Sequence, residues 1–208
     1  MHKEIIIRQI AASHYIAKFR DVNKFIECCK QCTCYNTTWS CPSFATITGN
    51  YIDAKNQKIE DFSVATIIGV KINIDKKLRV SPRSEEERDN LTRDILSEVR
   101  REFDDKLLQF EQKIQPSMLY YAGTCIICAT SECARLKDIP CYYPEKMRST
   151  LEADGFDIGR TCSDLLGIDI LWCDGFELPK YYTLVYGFIS NQSVEDKLRS
   201  ILNGDAVS

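Results

Sequence analysis

Four thiols fall within the seventeen residues from Cys125 to Cys141, spaced Cys125-x2-Cys128-x4-Cys133-x7-Cys141, in a segment with no histidine. This density constrains the surrounding chain more than any other feature. A Cys-x2-Cys pair on a tight turn aims two thiolates at one centre. Two further thiols a loop away complete four-coordination, which structural zinc and iron–sulfur clusters both accept. The alternatives are reduced core cysteines, since free Cys behaves as a small buried hydrophobe, or a disulfide framework. Four thiols in so short a run read first as a metal or cluster set.

The rest of the chain bounds the compartment and excludes some partners. Its 208 residues suit a single metal-binding domain over 1–208, long enough to bury a core. The 27 basic and 30 acidic residues are interspersed, leaving a net charge of -3. No basic stripe points to nucleic acid and no polybasic segment to a membrane surface. The apolar opening Ile5-Ile6-Ile7 is too short for a signal peptide, and Val64 to Val70 is too short to span a bilayer. A cytoplasmic protein is expected, and in a reducing cytosol its eleven cysteines read as ligands or redox groups rather than staples. The odd count leaves at least one outside any complete pairing.

Earlier in the chain lies a first block, with Cys28, Cys29, Cys32, Cys34 and Cys41 within fourteen residues, the run from Cys125 to Cys141 being the second. Two registers are open: Cys28-x3-Cys32-x8-Cys41, or Cys29-x2-Cys32 with Cys34 and Cys41. Neighbouring side chains diverge, so one of Cys28 and Cys29 is expected to be a spectator. Trp39 and Pro42 flank Cys41 and can shield a cluster from water, although Trp39 is equally a core anchor. Cys29 and Cys32 also match a thioredoxin-like redox pair, but three more thiols crowd them. His14 reads as a surface or partly buried structural residue.

The intervening chain reads as scaffold. A strand is expected over 4–10, and Asp21 caps a helix of about two turns from Val22 that delivers Cys28 into a loop. Residues 62–74 are β-branched and nearly continuous, as in a buried strand. Ser84 with Glu87 forms a capping-box pattern opening a helix to about Ile114. Leu91, Ile95, Val99, Phe103, Leu107, Phe110 and Ile114 form its core stripe, and Arg100, Arg101, Asp104 and Asp105 a solvated face. Pro116 stops this helix before a strand over 118–122. Helices are then expected over 144–155 and 157–167, strands over 168–172 and 181–189, and a last helix from about Ser193 to Gly204. The fold class is α/β (or α+β): a central mixed sheet with helices packed on it and two cysteine-rich metal-binding loops. The second block leaves the end of a strand, where ligand sites commonly lie in open α/β sheets.

Cys28-x3-Cys32-x2-Tyr35-x3-Trp39-x-Cys41-Pro42, then Gly123-Thr124-Cys125-x2-Cys128-x4-Cys133-x7-Cys141, Pro144-Glu145-Lys146-Met147-Arg148, Glu152-Ala153 and Gly155 together resemble a domain-of-unknown-function family of predicted metal-binding proteins of bacteria and archaea, common in anaerobes. The resemblance implies metal or iron–sulfur binding in an α/β fold, and no particular reaction. It favours Cys28, Cys32 and Cys41 in the first block and Cys125, Cys128, Cys133 and Cys141 in the second as cofactor and metal ligands. Ser43 and Ser149 stand where that family commonly has prolines. Read this way, the first block offers three thiols. Either one metal position is open, or Cys29, Cys34, Cys162 or Cys173 closes it.

The functional expectation is an iron–sulfur protein with one or two 4Fe-4S clusters, acting in electron transfer or cluster-based redox chemistry with a partner protein or small molecule. The alternative is a zinc-binding structural or metal and sulfur carrier without redox activity. No Ser/His/Asp array, phosphate-binding glycine loop or dinucleotide fingerprint appears, so whether the chain is an enzyme stays open.

Overall fold

The apolar run expected over 62–74 is the strand β2 (Val64–Asn73), nearly continuous in apolar character because both of its faces are covered. A computed structural model describes residues 1–42, 58–128 and 132–204; the Ser43 position lies outside them. β2 pairs on one side with β1 (His2–Ala11) and on the other with β4 (Tyr181–Ser190), and β3 (Ser117–Tyr120) lies beyond β4, giving the order β1-β2-β4-β3. All these pairings are antiparallel. The sheet expected to be mixed is therefore antiparallel among the described residues. β2 and β3 run in the same direction, but β4 inserts between them, so parallel pairing is confined to an isolated bridge between Tyr121 and Thr150.

Strand alternation sends β2 and β4 side chains into two cores. Ile68, Val70, Ile72, Leu184, Tyr186 and Phe188 face one layer, which includes α4 (Glu85–Lys113) and α6 (Glu195–Asn203). Ala65, Ile67, Val185 and Ile189 face the other, with Ala12, Tyr15 and Phe19 of α1 (Ala12–Phe19) and with Leu151, Phe156, Cys162 and Leu166. Two glycines let this second layer sit close. A Cβ on Gly69 would lie 2.9 Å from Leu166 Cδ1, and one on Gly187 3.0 Å from Leu151 Cδ2.

A single turn, α3 (Lys76–Arg79), precedes α4, which begins as its sequence requires. Ser84 Oγ accepts the Glu87 N–H at 3.2 Å, while the Glu87 carboxylate reaches the Arg83 N–H at 2.7 Å, one residue before the cap. The stripe from Ile95 to Ile114 is buried, with Leu91 half-buried at its start. Each such side chain contributes about 1.5–3 kcal/mol of transfer free energy. The face expected to be solvated divides: Arg101 and Asp105 are exposed, whereas Arg100 and Asp104 are buried. The chain after β3 folds back over this flank, and Arg100 Nη1 donates to Thr124 O at 2.6 Å.

Asp21 caps α2 (Val22–Lys30) by accepting the Lys24 N–H at 3.0 Å, as its sequence predicts. α1 was not expected, and its Ala12, Tyr15 and Phe19 fall at helical spacing on one buried face. Residues 168–172 form no strand, since both edges of β4 are already paired. Residues 144–155 form turns instead of a helix, because Ser149 O accepts the Tyr121 N–H at 2.9 Å and Thr150 bridges to the same residue. A helical turn, α5 (Ile158–Arg160), capped by Asp157, runs into a π-helix (Thr161–Leu166) that ends at Gly167 with φ +69°. Among the described residues no helix is long and apolar enough to cross a membrane.

Candidate metal centre

Cys125, Cys128, Cys133 and Cys141 line one cavity of about 250 Å³, with Thr37, Thr38, Trp39, Leu136 and Met147 completing its wall. The segment leaves β3, passes Gly123 at φ +63°, and reaches Cys125 with Thr124 O held by Arg100. After Cys133 a 3-10 turn (Ala134–Lys137) ends at Asp138 in a left-handed conformation, φ +52°, and returns the chain towards Cys141. Residues 129–131 lie outside the described part of this loop. Ala134, Trp39 and Met147 form a small apolar core against which Cys125, Cys133 and Cys141 pack.

Backbone donors aim at the sulfurs. The Tyr143 N–H lies 3.4 Å from Cys141 Sγ, and the Ile127 N–H bonds Cys125. Hydrogen bonds of this kind favour thiolate and tune a bound metal. They do not offset burial, which pushes the Cys125 thiol up to about 11 and raises that of Cys128, with Cys133 and Cys141 adding to both. Without metal the Cys125 and Cys128 thiols hold their protons at neutral pH, and metal binding has to displace them.

Trp39 is the roof of this cavity. Only 2% exposed, it donates Nε1–H to Ile139 O at 3.1 Å, and the Arg135 guanidinium stacks 4.5 Å from its ring centre. Arg135 in turn bonds the Asn36 side chain, and Asn36 adopts the left-handed region at φ 60°.

The first block is arranged more openly. Cys28 and Cys32 are exposed, while Cys29, Cys34 and Cys41 are half-buried. Cys28 and Cys29 occupy the last turn of α2 instead of the loop expected for Cys28. Burial raises the Cys29 thiol, reinforced by Cys41, Cys32, Glu152 and Cys28, and Cys29 is the less exposed of the two adjacent cysteines. The Cys34 N–H lies 3.4 Å from Cys32 Sγ, repeating the donor pattern of the second block. Cys162 is buried in the π-helix, its thiol pushed up to about 12, and Cys173 lies 3.6 Å from the Tyr182 hydroxyl. His14 is exposed on α1.

The two blocks interlock. Ser40 Oγ accepts the Cys125 N–H at 3.0 Å and lies 3.7 Å from Cys41 Sγ, which is itself 3.8 Å from Thr124 Oγ1. The first block lends Thr37, Thr38 and Trp39 to the second cavity, whose thiols all come from the second block. Among the described residues, no three His, Cys, Asp or Glu side chains converge closely enough to hold a single ion. The second-block thiols surround a space instead of a point.

Three residues that position the site escaped sequence reasoning. Arg100 holds the entry to the cysteine loop. Glu111, 2% exposed, accepts from Arg148 Nε at 2.9 Å and from the Leu119 N–H at 3.0 Å, tying α4 to β3 and to the segment carrying Met147. Ser40 is fully buried between the blocks. The signal available for Arg100 and Glu111 was charge on a helix flank adjoining the apolar stripe.

A family model described as predicted metal-binding protein (DUF2284) matches residues 13–186. No curated protein and no solved structure matches the chain.

Proposed function

Because the chain belongs to that family of predicted metal-binding proteins, we propose that it is an iron–sulfur protein whose second block, Cys125, Cys128, Cys133 and Cys141, holds a 4Fe-4S cluster, and that it works in electron transfer or cluster-based redox chemistry. The observation that carries this reading is the cavity: four thiols distributed around about 250 Å³. A tetrahedral zinc would draw all four sulfurs to about 2.3 Å from one point. The donor set is all thiolate, which suits an iron–sulfur core, and the apolar wall suits its exclusion from water.

When bound, such a cluster supplies one-electron redox chemistry. The chain's own residues fix where that chemistry takes place. Trp39 and Met147 exclude water from one side, and Leu136, more than half exposed, forms the rim through which a partner protein or small molecule gains access. The Ile127 and Tyr143 N–H groups place positive dipoles at two sulfurs, which eases addition of an electron. The first block, with Cys28, Cys32 and Cys41, is assigned a second centre.

Electron paramagnetic resonance on protein purified without oxygen tests this reading. Chemical reduction should give a reversible signal, and Cys128→Ser should remove the second block's component of it. A chain that carries zinc, with no signal in either redox state, would show a structural or carrier role instead.

A further inference from the structure

The two edges of the sheet, β1 and β3, are finished differently. β3 is four residues long, and directly after it Tyr121 donates its N–H to Ser149 O and bridges to Thr150, so the chain itself covers that side. β1 runs for ten residues without a proline. It pairs one to one with β2, from His2 against Asn73 to Ala11 against Val64, with no bulge to bend it away. Among the described residues no strand lies beyond it. An edge of this length presents a row of N–H and C=O groups on which another strand can form.

The ladder fixes which groups those are. The Ala12 N–H bonds Ser63 O at 2.9 Å, one step past the Ala11–Val64 pair. Alternation along an antiparallel pair then turns the even-numbered residues of β1 towards β2 and aims the N–H and C=O of Lys3, Ile5, Ile7 and Gln9 outward. Arg8 agrees with this, since its Nη1 donates to Ile7 O at 2.9 Å. The side chains along the edge are self-complementary. Ile6 is half-buried, and Glu4 and Arg8, both exposed, stand two residues to either side of it on the same face.

We propose that β1 is the interface of a homodimer, in which a second copy adds its own β1 antiparallel with Ile6 of both chains on the two-fold axis. The dimer forms whatever the cysteine blocks bind. In this register Ile5 exchanges backbone hydrogen bonds with Ile7 of the other copy, and Lys3 with Gln9. Arg8 gives up Ile7 O to the incoming N–H and meets Glu4 of the other copy, whose carboxylate is flanked by Lys71 Nζ at 3.3 Å. The contact occurs twice by symmetry. Sliding the strands by two residues in either direction sets Glu4 against Ile10 or Ile6 instead, so the charges select the register. Such an isologous contact closes on itself and leaves no β1 edge for a third copy.

Sedimentation velocity of the reduced full-length chain over a range of concentrations tests the dimer. Wild type should move from monomer to dimer as concentration rises. Glu4→Arg and Arg8→Glu each set like charges opposite one another twice, and each should weaken self-association at least about tenfold. An equimolar mixture of the two variants should associate as wild type does, because every position 4 then faces an opposite charge at position 8. In wild type, amide exchange at Ile5, Ile7 and Gln9 should slow with concentration while Ile6 and Arg8 stay protected throughout. The inference is overturned if wild type sediments as a monomer at every concentration, which leaves Glu4 and Arg8 as charges that blunt the edge. It is also overturned if the single variants associate like wild type, or if their mixture does not recover association.

Discussion

Ser40 joins the two cysteine blocks: its buried hydroxyl accepts the Cys125 N–H at 3.0 Å and stands beside Cys41. Ser40→Ala removes the acceptor of that half-buried N–H. Removing one partner of such a bond costs about 1–3 kcal/mol. Denaturant unfolding of the metal-free chain should show a loss of this size, and metal uptake by the second block should weaken in parallel. Unchanged stability would mean that water replaces the hydroxyl.

Glu111 and Arg148 form the ion pair that secures the base of the cavity, with the carboxylate 2% exposed. Breaking a buried pair from one side strands a charge and costs about 3–5 kcal/mol. Glu111→Ala should therefore destabilise the chain by more than Ser40→Ala does. It should also loosen Met147, which chemical unfolding combined with proteolysis of the 141–155 segment would reveal.

Trp39 offers a direct optical probe. The chain has two tryptophans, and Trp172 is 81% exposed. In a Trp172→Phe variant, emission comes from the cavity roof alone and should be quenched when metal is added. Trp39→Phe keeps most of the packing and loses the bond to Ile139 O, at a cost of about 1 kcal/mol. Emission indifferent to metal would place the bound metal elsewhere.

Asp104 gives the fold a pH signature. Burial lifts its carboxyl to about 6, against the pull of Arg100, while an unfolded aspartate titrates near 3.9. The folded chain therefore binds this proton more tightly. Its contribution to stability is present below about pH 4 and is lost as pH rises through about 6, up to about 3 kcal/mol at about 1.4 kcal/mol per unit. Asp104→Asn removes the titration, so wild type should lose stability relative to this variant between pH 4.5 and 7. A difference independent of pH would contradict the assignment.

The elements legible in the sequence are those whose cause is local. Ser84 and Glu87 mark the start of α4, the stripe from Ile95 to Ile114 marks its buried face, and Asp21 marks the start of α2. The β-branched run from Val64 reads as a central strand because Thr66 alone interrupts its apolar character before Lys71. What could not be read depends on distant chain. Arg100 and Asp104 look solvated until the cysteine loop covers them, and residues 168–172 look like a strand until both edges of β4 are taken. Helix α1 was legible in principle, from Ala12, Tyr15 and Phe19, but β1 runs directly into it without a polar cap.

The site divides in the same way. Spacing alone grouped Cys125, Cys128, Cys133 and Cys141, and the fold gathers these four around one cavity. In the first block the spacing could not choose between Cys28 and Cys29, since their separation depends on which face of α2 turns inward.

The central claim is tested most directly by counting iron, zinc and acid-labile sulfide per chain on protein purified without oxygen, in wild type and in Cys125→Ser/Cys128→Ser. The proposed function predicts about four iron and four sulfide for each occupied block, with the double substitution removing the second block's share. Zinc without sulfide in the wild-type chain would contradict it.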